Sequence, residues 1–181
     1  MGNELYQKVW RGTDKVTIDQ KLPLFDCYAA PCTLRCPIHQ DVPEYIRLIC
    51  EKRYDEALEL IYAKNPLPHI TSYICDHQCM TKCTRLDYEG PVRIRDMKLL
   101  ATNEGWEKYM NRYRQDREKN GIKVAVIGAG PAGLATSYFL SLAGFEVTVF
   151  ERAKVAGGVT TNVLPSFRLP AEAIQQAIDF I

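Results

Sequence analysis

The sequence predicts an α plus α/β fold: a small all-helical unit, then the first part of a parallel strand–helix–strand unit. Three observations carry this. All seven cysteines lie between residues 27 and 83. Between about residues 41 and 110 the apolar residues recur at helical spacing in three stretches. From Ile122 the pattern becomes strand, glycine-rich turn, helix, strand.

Residues 1–20 are polar without a clear period and predict an extended or weakly ordered arm. Cys27, Cys32 and Cys36 follow among Pro23, Pro31 and Pro37. Prolines at that density oppose a continuous helix, so this group is expected on a loop. Asp41-Val-Pro-Glu44 reads as a helix start, with Asp41 as cap, Pro43 in the first turn and Glu44 completing a capping box. Tyr45, Leu48 and Ile49 form its apolar face, and Cys50 beside them reads as a core residue. A second helix runs from about Asp55 to Ala63, with Leu58, Ile61 and Tyr62 as its stripe, and Asn65-Pro66 stops it. Cys75, Cys79 and Cys83 follow, and Gly90-Pro91 is a turn. A third helix runs from about Ile94 toward Met110 with Ile94, Met97, Leu100 and Ala101 on one face.

Residues 107–120 are strongly charged and predict an exposed helix tail and solvated linker; a basic docking face is the alternative. The domain boundary is therefore placed near 120, dividing a helical cysteine-rich domain at 21–120 from a second domain at 121–181. In that second domain, residues 123–127 read as a short, buried-type strand, 131–143 as a helix, 146–150 as a parallel strand, and 171–181 as a further helix. There is no internal repeat and no low-complexity tract.

The composition, 46% hydrophobic and 25% charged with net charge +1, is that of an ordinary globular chain. It carries no basic excess, so no nucleic-acid partner is expected. No apolar run approaches the roughly 18 residues of a membrane span, and the N-terminus lacks the pattern of a signal peptide. The expected setting is cytoplasmic. An odd cysteine count without a secretory signal argues against a disulfide scaffold.

The cysteine spacings are C-x4-C-x3-C-P (Cys27, Cys32, Cys36) and C-x3-C-x3-C (Cys75, Cys79, Cys83). Short spacings let one segment wrap an iron–sulfur core, which needs several converging thiolates. Zinc is the competing reading, although structural zinc favours paired knuckles. Buried free or redox-active thiols are the third reading. Two [4Fe–4S] clusters need eight ligands, and the two groups supply six thiolates. Asp26, His39 and His77 are able to fill in, but spacing marks none of them out.

Gly128-Ala-Gly-Pro-Ala-Gly133 follows the first strand and opens the helix, the setting in which G-x-G-x-x-G binds a dinucleotide. Gly128 permits the tight turn, Gly130 lets backbone approach a pyrophosphate, and Gly133 lets helix and strand pack closely. Pro131 and Ala132 open the helix, whose free N–H groups face the phosphates. Glu151 ends the second strand and suits a ribose hydroxyl, with Arg152 beside it. Gly157-Gly158, just beyond, favours FAD over NAD.

Val-Ala-Val-Ile-Gly-Ala-Gly-Pro-Ala-Gly-Leu-Ala, Phe-Glu-Arg, Gly-Gly-Val and Pro-Ser-Phe-Arg-Leu-Pro, behind a two-group cysteine domain, resemble the glutamate synthase small-subunit family and the N-terminal region of dihydropyrimidine dehydrogenase. The resemblance covers about residues 20–181. It implies a helical domain with two [4Fe–4S] clusters, an FAD domain and a downstream NADPH domain, electrons passing from NADPH through FAD and the clusters to a distant acceptor site or subunit. By the family pattern, Cys27, Cys32 and Cys83 serve one cluster, and Cys36, Cys75 and Cys79 the other. Gly128, Gly130, Gly133, Glu151 and Gly158 hold FAD, and the segment with Arg168 passes near it. Three departures stand out. Leu24 replaces a cysteine of the family. Lys98 falls near its non-cysteine ligand, and an ammonium offers iron no lone pair. Val163-Leu164-Pro165 replaces a Gly-Ile-Pro.

One strand–helix–strand unit is not a complete dinucleotide-binding sheet, and no second G-x-G-x-x-G appears. The sequence therefore reads as part of a larger flavoprotein oxidoreductase, inactive by itself. Its important residues are cofactor ligands, since no acid–base or nucleophilic constellation is present. The alternative is a non-catalytic, metal-stapled helical interaction module with a vestigial nucleotide half.

Overall fold

The computed structural model describes residues 29–86, 88–113 and 119–181, with the backbone of Gln7–Lys8 and Leu22–Pro23. Cys27, Leu24, Asp26, the rest of the N-terminal arm and residues 114–118 of the charged stretch lie outside the described residues. Strands β1 (Gln7–Lys8) and β2 (Leu22–Pro23) pair antiparallel, Gln7 opposite Pro23 and Lys8 opposite Leu22.

The first cysteine group is not wholly on a loop. Cys32 lies inside α1 (Pro31–Arg35) and Cys36 caps its end. Pro31 occupies the first turn, where a missing N–H costs nothing, and Pro37 comes only after the helix has ended. Helix α2 (Val42–Cys50) starts at Asp41, whose carboxylate accepts the Glu44 N–H at 3.3 Å. Val42, Tyr45, Leu48 and Ile49 are buried, whereas Cys50 is exposed. It stands roughly 100° further round the helix from Ile49, which carries it off the apolar stripe.

Helices α3 (Tyr54–Tyr62) and α5 (Ile94–Tyr113) lie in close contact. A Cβ on Gly105 would collide with the Tyr54 carbonyl, so glycine sets their approach. Buried Asp55 in the first turn of α3 pairs with Lys108 at 2.9 Å and Arg112 at 3.3 Å. The charged end of α5 is thus not a free tail. Tyr109 is buried there, and its ring stacks on Tyr62 with centroids 5.2 Å apart. Tyr109 and Tyr113, one turn apart, put an apolar edge on a helix whose composition reads as solvated.

Helix α4 (Pro68–Ile74) is an element that the sequence reading passes over as part of the cysteine segment. Its signals are Pro68 in the first turn and Ile70, Tyr73 and Ile74 at helical spacing. Strands β3 (Lys123–Ile127) and β4 (Glu146–Phe150) pair in parallel, from Lys123 opposite Glu146 to Ile127 opposite Phe150. Helix α6 (Pro131–Leu142) connects them. Strand β3 is not buried on both faces: Val126 is covered but Ile127 is 82% exposed. Two strands with a helix on one side leave the other side open.

The short α7 (Val159–Asn162) leads to α8 (Ala171–Phe180), which packs on α4. Leu67 and Ile70 share one core cluster with Leu134, Leu169, Ala173, Ile174 and Ala177. Leu58, Tyr62 and Tyr109 share another with Tyr138 of α6. The helical and α/β parts are therefore joined through common apolar cores. No described helix is long and apolar enough to cross a membrane.

Candidate functional site

Two cavities in the helical part divide the described cysteines other than Cys50. A cavity of about 430 Å³ is lined by Cys32 and Cys83, with Pro43 and Val92 in its wall. A second, of about 190 Å³, is lined by Cys36, Cys75 and Cys79, with Tyr45, His77 and Lys98. Helix ends produce this division. Cys36 caps α1, Cys75 caps α4, and Cys83 caps the 3-10 helix Gln78–Lys82, which contains Cys79. The chain turns at each cap, so sequence neighbours such as Cys32 and Cys36 part, while Cys36 meets Cys75 and Cys79. His39 is exposed, lies 3.3 Å through Nδ1 from the Thr33 carbonyl, and lines neither cavity.

Burial pushes the Cys79 thiol up, as do the neighbouring Cys75, Cys36 and Cys32, against the opposing pull of Lys98. Burial likewise pushes Cys32 up, only partly offset by backbone N–H groups, and Cys83 adds to it. Tyr45 is 2% exposed, and burial, then Cys79, Cys36, Cys32 and Cys75, drive its phenol far above the ordinary range. The buried Lys98 ammonium is driven down by desolvation, while Cys75, Cys36 and Cys79 act to raise it. Two backbone donors point at sulfur: His77 N–H to Cys75 Sγ at 3.4 Å and Val92 N–H to Cys83 Sγ at 3.5 Å. Arg95 donates to the Cys75 carbonyl at 3.2 Å.

This donor set fits an iron–sulfur core. It offers soft thiolates, apolar walls and N–H donors to sulfur. Burying several thiolates side by side is costly, and a cationic core relieves that cost. Among the described residues, no three Cys, His, Asp or Glu side chains converge as one metal ion requires. Thiolates around a multi-atom inorganic core stand further apart than four ligands on one zinc ion. The sequence reading missed Tyr45 and Arg95. Arg95 was detectable as the cation one turn before Lys98; Tyr45 was visible only as an apolar helix position.

The glycine loop joins β3 to α6. Gly128 has φ +96°, which favours glycine, and its N–H donates to the Phe150 carbonyl at 2.6 Å. A Cβ on Gly128 or Gly130 would meet nothing within 4 Å, so the space before the loop is open. A Cβ on Gly133 would collide with the Gly128 carbonyl, so its absence lets α6 start against the strand. Pro131 begins α6 and Ala132 is exposed beside it. The Glu151 carboxylate accepts the Ala153 and Ala129 N–H groups, each at 2.7 Å, and those bonds hold it below the ordinary glutamate range. Glu151 thus ties the end of β4 to the loop. The second glycine pair folds back on the same loop: Gly157 N–H donates to the Ala129 carbonyl at 2.7 Å, and a Cβ on Gly158 would lie 2.9 Å from Gly130 Cα. Arg152 and Arg168 are exposed, and Arg168 forms no ion pair among the described residues.

Two family models match the chain. The family described as dihydropyrimidine dehydrogenase domain II, 4Fe-4S cluster, matches residues 7–110. The family of NAD(P)-binding Rossmann-like domains matches residues 126–175. The chain is 53% identical over 179 residues to the protein named "Putative oxidoreductase YgfK" of Escherichia coli strain K12, covering 98% of this chain and 17% of that protein. It is 39% identical over 158 residues to NADPH-Fe(3+) oxidoreductase subunit beta of Geobacter sulfurreducens, covering 86% of this chain and 24% of that one. It is 34% identical over 177 residues to the glutamate synthase [NADPH] small chain of Escherichia coli strain K12, covering 94% and 36%. The chain thus spans about a sixth to a third of the length of these relatives.

Proposed function

The chain belongs to the family of the dihydropyrimidine dehydrogenase domain II, 4Fe-4S cluster, and on that premise we propose that it relays electrons between NADPH, FAD and [4Fe–4S] clusters toward a distant acceptor. The observation that carries the reading is the crosswise division of cysteines between two cavities. Cys36, Cys75 and Cys79 would hold one cluster; Cys32 and Cys83, with Cys27, the other. When bound, flavin exchanges an electron pair with a nicotinamide and single electrons with clusters. NADPH would be bound by a further domain of the whole protein, or the acceptor by a partner subunit.

The chain's own groups do the positioning. The loop Gly128–Gly133 and the N-terminus of α6 present N–H groups to a pyrophosphate. Glu151, at the loop's edge, suits a ribose hydroxyl. Gly158 keeps the returning segment close against Gly130, which supports FAD over NAD(P) as the occupant. Pro131, Ala132, Arg152 and Arg168 would complete the rim. Tyr45 and the apolar cavity walls exclude water from the thiolates. A cytoplasmic setting, which keeps thiols reduced, suits six unpaired cysteines among the described residues.

Iron, acid-labile sulfide and zinc analysis of anaerobically purified protein tests the reading. Iron and sulfide in equal amounts are expected. Stoichiometric zinc without sulfide would instead support a metal-stapled interaction module. A flavin titration tests the nucleotide half, and absence of FAD binding by this chain would remove that part of the reading.

A further inference from the structure

Lys98 is the feature of the second cavity that the ligand count leaves unused. Its side chain lines the cavity of Cys36, Cys75 and Cys79 and is 8% exposed. An ammonium has three donors. Among the described residues one is used, toward Thr71 Oγ1 at 3.3 Å. Thr71 Oγ1 is itself held by Asn65 Nδ2 at 2.7 Å, which fixes the anchor. No carboxylate among the described residues pairs with Lys98. A buried ammonium with free donors and no carboxylate is costly unless an anion faces it. The groups that face it are Cys36, Cys75 and Cys79, which hold iron as thiolates on the cluster reading. Arg95, in the same wall, adds a second cation.

The first cavity differs. Its one described cation, Arg85, is 56% exposed and already paired with Glu89. Among the described residues, the two cavities therefore differ in the charge that faces their cysteines.

We infer that Lys98 is a fixed positive charge set against the cluster of the Cys36–Cys75–Cys79 cavity, and that this cluster has the higher reduction potential of the two. The inference rests on the cluster reading above. Reducing a [4Fe–4S] cluster adds one electron, and so one negative charge, to a site with fixed ligands. A buried cation stabilises the reduced form more than the oxidised one, and low local polarity strengthens the effect. Lys98 is thus a tuning residue rather than a ligand, and it makes the second cavity the electron sink of the pair.

The test is an anaerobic redox titration, with dithionite as reductant and electron paramagnetic resonance as readout. It compares the native chain with Lys98→Met and Lys98→Arg. The native chain is expected to show two separate one-electron steps. Lys98→Met should lower the higher step by at least a tenfold change in its equilibrium, about 59 mV for one electron, and leave the lower step in place. Lys98→Arg should keep both. Iron analysis comes first: a native chain without iron and sulfide overturns the cluster reading and this inference with it. With clusters present, an unchanged higher step in Lys98→Met, a shift of the lower step instead, or equal shifts of both overturn only the inference. Should Lys98→Met fail to assemble, Lys98→Arg decides alone. A native potential upholds the charge, and a lowered higher step or loss of one cluster overturns it.

Discussion

Tyr138 on α6 donates its hydroxyl to the backbone carbonyl of Tyr62 at the end of α3, 3.1 Å away. That carbonyl belongs to the last turn of a helix, where it lacks an intrahelical partner. One hydrogen bond thus closes α3 and joins the cysteine-bearing helices to the nucleotide-binding segment. Tyr138→Phe should lower stability by about 1–2 kcal/mol, because a buried acceptor loses its donor. A urea unfolding curve would read this as a lower midpoint at unchanged slope. An unchanged midpoint would mean that the two parts are held by apolar contact alone.

The two cavities predict two outcomes for three cysteine variants. Cys79→Ala should remove about half of the bound iron, and Cys32→Ala the other half, since each cavity would hold one cluster. Cys50→Ala should remove none, because Cys50 is exposed at the end of α2. Iron analysis of the three variants is sufficient. Equal loss from Cys79→Ala and Cys50→Ala would contradict the arrangement.

Gly133→Ala places a methyl group against the Gly128 carbonyl. Either α6 shifts or the loop opens, and both move the N–H groups meant for a pyrophosphate. Flavin affinity should fall at least about tenfold, equivalent to ~1.4 kcal/mol. A parallel thermal melt should show a loss of about 1–3 kcal/mol from overpacking. Native affinity in the variant would remove the loop from the binding site.

His69 on α4 is buried against Trp106, edge to face at 4.5 Å, and its Nε2 has no hydrogen-bond partner. Burial pushes its pKa down to about 4. The unfolded chain protonates near 6.5, so between those values the unfolded state binds the extra proton. Stability from a neutral His69 is therefore full above about pH 6.5 and declines as pH falls toward 4. The loss should reach about 2 kcal/mol at pH 5. His69→Leu should remove that part of the slope. Unfolding midpoints at pH 7 and pH 5 for both proteins measure the difference.

Much of the fold was legible from local pattern. Asp41, Pro43 and Glu44 announced α2, and the Gly128–Gly133 loop between two β-rich runs announced the parallel unit, because caps and tight turns are written in a few adjacent residues. Helix α4 was harder to see. It has only seven residues, opens on Pro68 just after Pro66 and runs straight into the cysteine segment, so its helical period is short. Cys50 was misread because two apolar neighbours suggested a buried face that one more residue had already left.

The sequence by itself determined which residue types stand together: six grouped thiols, a G-x-G-x-x-G loop, an acid at the strand end and a lysine near the position that the family resemblance gives to a cluster ligand. Residue type and short spacing are local properties, and they carry that information without the fold. Only the tertiary structure decided how those groups are shared. Helix caps turn Cys36 away from Cys32 and toward Cys75 and Cys79. Packing of α5 brings Lys98 into the same wall. The tyrosines of α3, α5 and α6 place the nucleotide segment against the helices. Those outcomes depend on contacts between residues tens of positions apart, and such contacts form only when apolar surfaces are buried together.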